Sequence, residues 1–384
     1  MLYYDVVIIG AGIAGLWTAN RLQQQGLSVL VLEQFAIGAG QTIHSQGIIH
    51  GGIKYSLTGK LSPATRNIAP MPTIWQDCFA GKGDIDLSTG RILSDHYLLW
   101  SASSLRSKIR AIIANKMLRG QALPRNNFPK ILQQAGFSGQ VYQVAEQVVD
   151  VKSVLRALTQ ALQPRIIKVS SWKVMWDARA ITALHIQNDT GETAIIKAQQ
   201  YIFTAGQGNQ TLCEATGIAQ MQTRPLHMVY AKLDQDLPFY AHCVDLQQVP
   251  RLTITTHYSS QGNCIWYLGG NLAETGVNRL PSEQCQFAKQ ELQQLFPKHN
   301  FESWQFSSFM LQRAEPLQPL NQRPPTFSVS VHDNIMIAWP TKLVLAPALA
   351  QEIISQCAHL VPCHSLHTLA WAAPKIAEPH WEYA

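Results

Sequence analysis

The 384-residue chain lacks the patterns that mark membrane-spanning, secreted and disulfide-bonded proteins. It contains no run of about 18 apolar residues, which argues against a membrane-spanning helix. Its first residues form neither a basic region nor a long apolar stretch, so we expect no secretory signal. The seven cysteines form no CxxC pair, which disfavours a zinc site or a disulfide scaffold and favours reduced thiols in the cytoplasm. No metal site is predicted.

Charge is also scarce and unevenly distributed. Charged residues make up 14% of the sequence and the formal net charge is +6, too little to favour a nucleic-acid partner. Residues 96–145 contain no Asp or Glu, and residues 104–119 place apolar side chains at helical spacing beside lysines and arginines. Such a helix packs its apolar face inward, or it lies on a membrane surface. We favour the first interpretation and expect a cytoplasmic protein, with peripheral membrane contact through 104–119 as the alternative.

The sequence does contain a glycine loop, which lies between a predicted buried strand and a predicted helix. Residues 6–9 are apolar without alternation and predict a strand that is buried on both faces. The loop Gly10-Ala11-Gly12-Ile13-Ala14-Gly15 follows, then a predicted helix to about Gly26, a strand over 29–32 and Glu33. The glycines allow a tight turn and close approach to a pyrophosphate, and Glu33 would accept hydrogen bonds from a ribose hydroxyl. This βαβ unit predicts a Rossmann-type dinucleotide site and does not by itself distinguish FAD from NAD.

Three further segments resemble the D-amino-acid-oxidase (DAO) superfamily of FAD-dependent oxidoreductases. They are residues 41–55 (QTIHSQGIIHGGIKY), 203–209 (FTAGQGN) and 340–350 (PTKLVLAPALA). With the glycine loop they span nearly the whole chain in the superfamily's order. Residues 49–55 look most like glycerol-3-phosphate dehydrogenases, whereas Gln41, Thr42, His44 and Gly47 look like L-2-hydroxyglutarate dehydrogenases. The last segment departs from both, because Trp339-Pro340 replaces the usual glycine pair.

The resemblance implies FAD as the cofactor and a set of residues that hold it. Besides the glycine loop and Glu33, these are Gln34, Gln41, Thr42, His44, Ser45, Gln46, Gly47, Val148, Ala205, Gly206, Thr341, Lys342 and Leu343. Val148 lies where a backbone group contacts the adenine. The helix start at Lys342 and Leu343 would point N–H groups and a cation at the flavin N1–C2=O edge. His44 also resembles a histidine to which FAD is covalently attached in dimethylglycine-type dehydrogenases, which is a further alternative.

Oxidation of a CH–OH or CH–NH carbon by a flavin needs a base for the heteroatom proton and cations for the substrate's acid group. The candidate bases are His50, in a glycine-flanked loop, and His227, which resembles a histidine of glycerol-3-phosphate dehydrogenases. Lys54 and Tyr55 match the position that faces the substrate. Arg313 resembles the superfamily's arginine shortly before the last FAD segment, and its fork suits a carboxylate or phosphate.

We therefore predict an α/β protein, with a Rossmann-type FAD-binding domain and a second, mixed-sheet α+β substrate domain. The FAD-binding domain is expected in residues 1–80, 146–220 and 316–384, and the substrate domain in 81–145 and 221–315. The predicted function is hydride transfer to flavin N5 from a small anionic hydroxy acid, glycerol-phosphate-like compound or amino acid. Oxygen, a quinone and a protein all stay open as electron acceptor. The alternatives are an amine or amino-acid oxidase, a flavoprotein that uses FAD structurally or as a sensor, and a nicotinamide enzyme.

Overall fold

The computed structural model describes residues 1–51, 67–101, 120–177, 180–244, 249–363 and 369–383. Lys54, Tyr55 and the basic segment 104–119 lie outside these ranges. The strands in chain order are β1 (Leu2–Ile9), β2 (Val29–Glu33), β3 (Ile48–Ile49), β4 (Ile92–Ser94), β5 (Tyr97–Trp100), β6 (Gln121–Ala122), β7 (Val141–Val144), β8 (Gln147–Val149), β9 (Ile166–Lys168), β10 (Ser171–Asp177), β11 (Ala180–Gln187), β12 (Thr193–Phe203), β13 (Met221–Lys232), β14 (Ala241–Cys243), β15 (Leu252–Tyr258), β16 (Cys264–Gly269), β17 (Gln305–Pro316), β18 (Ser328–His332) and β19 (Ile335–Trp339).

The helices connect and cover these strands. They are α1 (Ile13–Gln24), α2 (Met71–Phe79), α3 (Lys130–Gln134), α4 (Val151–Gln160), α5 (Asn209–Thr216), α6 (Asn271–Thr275), α7 (Pro281–Leu295) and α8 (Ala346–Gln356). Short 3-10 turns lie at Arg125–Asn127, Gly206–Gly208, Pro319–Asn321, Leu343–Leu345 and His380–Glu382.

The first sheet contains the predicted βαβ unit in a parallel core. β1 pairs in parallel with β2 on one side and with β12 on the other, and β9 and β19 extend the core at its two ends. Residues 6–9 are each at most 3% exposed, as expected for a strand that is covered on both faces. The carboxyl ends of the parallel strands share one edge, where open sheets of this kind bind their ligands.

The second sheet has the order β17-β13-β16-β15-β14-β5-β7-β6 and is mostly antiparallel. β15 and β16 form an antiparallel hairpin around residues 259–263. One face packs on α7 and a large aromatic core. The other, which we call the roof face, contacts the loop of residues 41–47. Because side chains alternate along strands, the register assigns to the roof face Arg224, Met228, Tyr230, Tyr267, Phe309 and Arg313.

A third, small sheet joins the two parts. β8 pairs antiparallel with β3 and with β4. This brings residues 48–49, just after the predicted cofactor loop, beside residues 147–149. The predicted α/β class with a second mixed-sheet domain is confirmed by this architecture and by its structural relatives, described below.

The C-terminal segment, residues 369–383, crosses from the first sheet to the roof face. It is held at Ile37, whose N–H donates to the Lys375 carbonyl at 2.8 Å and whose carbonyl accepts from the Ala377 N–H at 3.0 Å. Farther on, Trp381 is buried against Tyr230 and Tyr267. The last residues therefore tie both sheets together.

Asp5 is a buried carboxylate that fixes the start of β1. It accepts hydrogen bonds from the Ser28 N–H at 2.7 Å, the Gln199 amide at 2.6 Å and the Cys363 N–H at 2.9 Å. Burial raises the pKa of Asp5, but the hydrogen bonds from Ser28 and Cys363 outweigh burial and hold it below its usual value. Four distant stretches of chain thus depend on one ionised side chain.

We expect Asp5→Ala to lower the free energy of unfolding at neutral pH by about 3 kcal/mol, because several buried donors lose their acceptor. A carboxyl whose folded-state pKa is lowered stabilises the protein above its unfolded-state pKa, and this contribution is lost as the pH falls through the lowered value. Urea unfolding should therefore show the gap between wild type and variant closing below about pH 4. Asp177→Ala, at an exposed position, is the control, and equal losses in both variants would contradict the prediction.

Candidate active site

The glycine loop leaves no room for side chains. Gly10 has φ +104°, and a Cβ atom there would lie 2.7 Å from Ala205 Cα. A Cβ on Gly15 would lie 2.1 Å from the Gly10 carbonyl oxygen and 2.7 Å from Thr204 Oγ1. The intervening side chains, Ala11, Ile13 and Ala14, are buried. Only backbone is therefore presented at this edge of the sheet.

The start of α1 is suited to an anion. Its N-cap residue, Gly12, has no side chain that could accept from the first N–H groups, which carry the positive end of the helix dipole. The Ile13 N–H donates to Thr42 Oγ1 at 3.1 Å, and the Ala11 N–H donates to the Glu33 carboxylate at 2.8 Å. The predicted residues Glu33 and Thr42 thus meet the glycine loop from two sides.

Residues 41–47 form a loop between α1 and the roof face, and side chains fasten it at several points. Gln41 Oε1 accepts from the Ala314 N–H at 2.9 Å, and the Gln46 amide donates to the Tyr267 carbonyl at 2.9 Å. Gly47 has φ +70°, and a Cβ there would lie 2.2 Å from the Val149 carbonyl oxygen. Ser45 Oγ is buried and has no hydrogen-bond partner among the described residues. A buried hydroxyl of this kind is suited to a ligand.

The backbone beside Glu33 differs from the prediction. The sequence predicts Val148 at the adenine, but Val148 lies in β8 between Ile48 and Ser94. The neighbour of Glu33 in the parallel sheet is Lys168, and the following Val169 donates its N–H to the Glu33 carbonyl at 2.9 Å. Gln34 reaches the same segment, since its amide donates to the Ser170 carbonyl at 3.0 Å. Val169 therefore replaces Val148 in the candidate site.

Two other predicted segments lie at the carboxyl edge. Ala205 packs behind Gly10, and Gly206 opens a 3-10 turn with φ +58°. At the end of β19, Thr341 adopts φ +58° and its hydroxyl donates to the Thr326 carbonyl at 3.1 Å. Lys342 is buried and donates Nζ to the Pro325 carbonyl at 2.9 Å, so its charge is bound within the loop. Leu343 begins the next turn, whose first N–H groups have no acceptor within the helix.

Arg313 is a buried cation of the roof face. It lies opposite Arg224 in the β13–β17 ladder, and Arg224 is occupied by a two-point ion pair with Glu315, at 2.6 and 2.9 Å. The Arg313 side chain is 15% exposed and has one long contact, from Nη1 to the Glu274 carboxylate at 3.4 Å. Its Nε is buried without a hydrogen-bond partner in the described part of the chain. Burial and the neighbouring Arg224 lower the pKa of Arg313 to about 10, so it stays charged at neutral pH.

Aromatic rings line the roof face next to the cofactor loop. The His44 ring stacks on His380 with centroids 4.6 Å apart, and His380 lies 3.8 Å from the Phe309 centroid. Burial and the adjacent His380 lower the pKa of His44 to about 4. His44 is therefore a neutral ring in an aromatic stack, and its Nδ1 lies 2.9 Å from the Gly40 carbonyl oxygen.

The two candidate bases differ in their surroundings. His50 directly follows β3 and is partly buried. His227 is 1% exposed, with its ring nitrogens 2.9 Å from the Gly276 carbonyl and 3.0 Å from Ser308 Oγ. Since it lies an odd number of residues from Arg224, it points to the opposite face of the sheet. We therefore withdraw His227 as a catalytic candidate and interpret it as a structural histidine.

Sequence reasoning missed several residues of this site. Thr204 is not among the predicted site residues, yet its hydroxyl donates to the Gly10 carbonyl at 3.0 Å and closes the glycine loop. Glu274, Phe309 and His380 join the site only through the folding of distant strands and the C-terminal segment. The signal for Thr204 was present in the segment FTAGQGN, whereas the other three carry no local pattern.

Within the ranges that the structure describes, no helix combines the length and the apolar character that a bilayer crossing needs. His, Cys, Asp and Glu side chains in the same ranges form no group that could hold a metal ion.

Known proteins resemble this chain over almost its full length. The family model "FAD dependent oxidoreductase" (DAO) matches residues 5–353. A probable FAD-dependent oxidoreductase of Pseudomonas aeruginosa, PA4991, is 36% identical over 390 residues, which cover 99% of this chain and 98% of that protein. Its crystal structure covers 100% of this chain and 98% of its own, with a TM-score of 0.86 and 33% identity.

More distant structures share the fold. L-alpha-glycerophosphate oxidase from Mycoplasma pneumoniae, solved with FAD bound, has a TM-score of 0.67 at 15% identity, over 97% of this chain and all of that one. Glycine oxidase from Geobacillus kaustophilus has a TM-score of 0.66 at 14% identity, over 99% of this chain and 100% of that one. With the full-length match to the family model and to PA4991, the chain belongs to the DAO family of FAD-dependent oxidoreductases, and FAD is its cofactor.

Proposed function

We propose that the enzyme oxidises a CH–OH or CH–NH carbon of a small anionic substrate beneath the roof face, where Arg313 binds the acid group. The observation that carries this proposal is the buried Arg313 Nε, which lacks a partner among the described residues although it belongs to a charged group. A buried donor left unsatisfied costs about 1–3 kcal/mol. A carboxylate or phosphate that forms a two-point contact with the guanidinium would satisfy it.

The residues at the carboxyl edge of the first sheet fit FAD. Gly12 supplies no capping side chain to α1, whose Ile13 N–H donates to Thr42 Oγ1, and the cradle at Gly10 and Gly15 excludes side chains. We assign the pyrophosphate to the first N–H groups of α1, the ribose hydroxyls to Glu33 and the adenine to the backbone at Val169. Thr42, the Ser45 hydroxyl, which has no partner among the described residues, and the N–H groups of Leu343 and Val344 would hold the rest. When bound, FAD supplies the hydride acceptor, N5.

His50 is our candidate for the base that takes the heteroatom proton. It follows the cofactor loop directly, next to the roof face, and its imidazole is the side chain best suited to proton transfer near neutral pH. His44, four residues before Ile48, is neutral and stacked, so we assign it to packing. Lys54 and Tyr55 stay predictions from the sequence for contacts with the substrate.

Two structural relatives support the substrate class. They are named for glycerophosphate and for glycine, which are small compounds that carry an anionic acid group and a CH–OH or a CH–NH carbon. At 15% and 14% identity the likeness shows the fold alone. Whether the oxidised carbon belongs to an alcohol or to an amine is therefore decided by a substrate test.

We also propose the discontinuous domain division predicted from the sequence. The strands of the first sheet come from residues 2–33, 166–203 and 328–339, and those of the second from residues 97–144 and 221–316. These groups follow the proposed boundaries at about 80, 145, 220 and 315.

Anaerobic mixing of the purified FAD protein with candidate substrates tests the proposal. The panel contains glycerol 3-phosphate, 2-hydroxy acids and both enantiomers of amino acids, and bleaching of the flavin absorption band reports reduction. His50→Asn should slow reduction by the productive substrate about 100- to 10,000-fold and leave the FAD content unchanged. His96→Asn is the matched control, since His96 lies between β4 and β5, the latter a strand of the second sheet, which we call the roof sheet. Absence of bleaching with every small anion would overturn the proposal. Reoxidation by oxygen and by a soluble quinone then compares the acceptors.

A further inference from the structure

Glu146 is a buried carboxylate that the mechanism above does not use. It lies between β7 and β8 and is 4% exposed. A buried carboxylate is costly unless hydrogen bonds compensate it. The Gly51 N–H donates to Glu146 Oε1 at 2.9 Å, and Gly51 is the residue that follows His50. The acid is therefore attached to the backbone next to the candidate base.

The strand register brings Glu146 to the same place independently. In the antiparallel β3–β8 pair, Ile49 lies opposite Gln147. Extending this ladder by one residue places His50 opposite Glu146, and directly opposed residues share a face of the ladder. Two observations, one hydrogen bond and one register, thus relate Glu146 to His50.

A buried tyrosine of the second sheet also senses the charge of Glu146. Tyr97 of β5 is fully buried and donates its hydroxyl to the Ile254 carbonyl at 2.9 Å. Burial, and next the charge of Glu146, hold the pKa of Tyr97 well above its usual value. Glu146 therefore lies within electrostatic range of the roof sheet, in surroundings of low polarity where its charge acts strongly.

We propose that Glu146 is the positioning residue for His50, an inference that rests on the proposed function. Its hydrogen bond fixes the backbone at Gly51, and its negative charge stabilises the imidazolium that forms on proton uptake. In the step concerned, the substrate's O–H or N–H bond breaks and its proton passes to an imidazole nitrogen. The substrate's C–H bond breaks and its hydride, with two electrons, passes to the FAD cofactor. The substrate is oxidised to the carbonyl or imine, and the flavin is reduced.

Glu146→Gln and Glu146→Ala separate the two contributions. The glutamine retains an acceptor for the Gly51 N–H but removes the charge, so flavin reduction should slow about tenfold, whereas alanine removes both and should slow it about 100-fold. The KM and the FAD content should change little. Glu214→Gln, on the exposed side of α5, is the matched control. An unchanged reduction rate in the glutamine variant, or a loss that appears only in the FAD content, would overturn the inference, and this holds even if the alanine variant does not fold.

A double-mutant cycle with His50→Asn distinguishes this inference from the proposed function. If Glu146 acts through His50, Glu146→Gln should slow reduction less than about threefold in the His50→Asn background, because residues that act as a unit are not additive. If the fold-decrease in the reduction rate of the double variant equals the product of the two single decreases, Glu146 does not act through His50. If His50→Asn itself leaves reduction unchanged, the proposed function fails first. If His50→Asn slows reduction but Glu146→Gln does not, only the inference fails.

Discussion

Gly15→Ala is expected to yield a protein that no longer retains FAD. The added methyl group would lie 2.1 Å from the Gly10 carbonyl oxygen and 2.7 Å from Thr204 Oγ1. Neither neighbour is the movable end of a long side chain, so α1 or the glycine loop must shift. Overpacking of this kind costs about 1–3 kcal/mol, and a shift of the first N–H groups of α1 weakens contact with the pyrophosphate in addition. We therefore expect the Kd for FAD to rise at least about tenfold.

The ratio of flavin to protein after gel filtration, and titration of the apoprotein with FAD, measure this effect. Gly40→Ala is the matched control, because a Cβ at Gly40 meets nothing within 4 Å and Gly40 does not require a positive φ. Circular dichroism of both variants shows whether the fold is retained. Retention of FAD by Gly15→Ala at the wild-type level would contradict the assignment of the pyrophosphate to this loop.

Arg313→Ala is expected to lower kcat/KM for the anionic substrate about 100-fold, since loss of one partner of a buried charge pair costs about 2–5 kcal/mol. The variant also leaves Glu274 without its counter-ion, at the position where the substrate's acid group would bind. The loss should appear mainly in KM, because the acid group is bound equally in the ground state and the transition state.

Steady-state kinetics with the substrate identified by anaerobic reduction measure this effect. Arg313→Lys keeps the charge but not the planar fork and should recover part of the loss. Arg125→Ala, in an exposed turn, is the control for removal of an arginine. An unchanged KM in Arg313→Ala, with a normal FAD content, would exclude Arg313 from the substrate site.

The parts of the site that the sequence predicts well are local in the chain. The glycine loop, Glu33 and the strand over residues 6–9 lie within one βαβ unit, where hydrophobic period and turn residues decide the structure. Ala205, Gly206 and the turn at Leu343 could be placed through resemblance, since each follows an apolar strand directly. Strand ends of a parallel sheet meet at one edge, so these segments come together whatever lies between them.

The parts that the sequence does not predict depend on the face and the pairing of strands. His227 and Arg224 lie three residues apart on one strand, and one register step decides which of them points to the roof face. Val148 precedes Val149, and Val169 closely follows Ile166 and Ile167, so the local sequence does not distinguish them. Only the pairing of β9 with β2, in which Lys168 lies opposite Glu33, brings the Val169 N–H to the Glu33 carbonyl. Glu146 has no sequence pattern at all, because its importance arises from a contact with Gly51, which lies 95 residues away.

Lys342 is predicted from the sequence as a site residue, but the direction of its side chain depends on contacts that are distant in the chain. A lysine between a strand and a helix start predicts a cation beside the flavin. In the folded protein Nζ binds the Pro325 carbonyl, a residue of a preceding loop that no local pattern indicates. The predicted positive charge near the cofactor is therefore directed into the loop, and the N–H groups that begin at Leu343 are the donors presented by this turn.

The wall behind the glycine loop has a consequence for synthesis of the chain. Thr204 Oγ1 and the Gly10 carbonyl, which form that wall, are 194 residues apart. At a translation rate of about 5–20 residues per second, Thr204 is synthesised roughly 10–40 seconds after the glycine loop. During that time the apolar strand over residues 6–9 has no partner on the β12 side. A fragment that ends before residue 203 carries the glycine loop without its wall, so the cofactor can stabilise the chain only late in its synthesis.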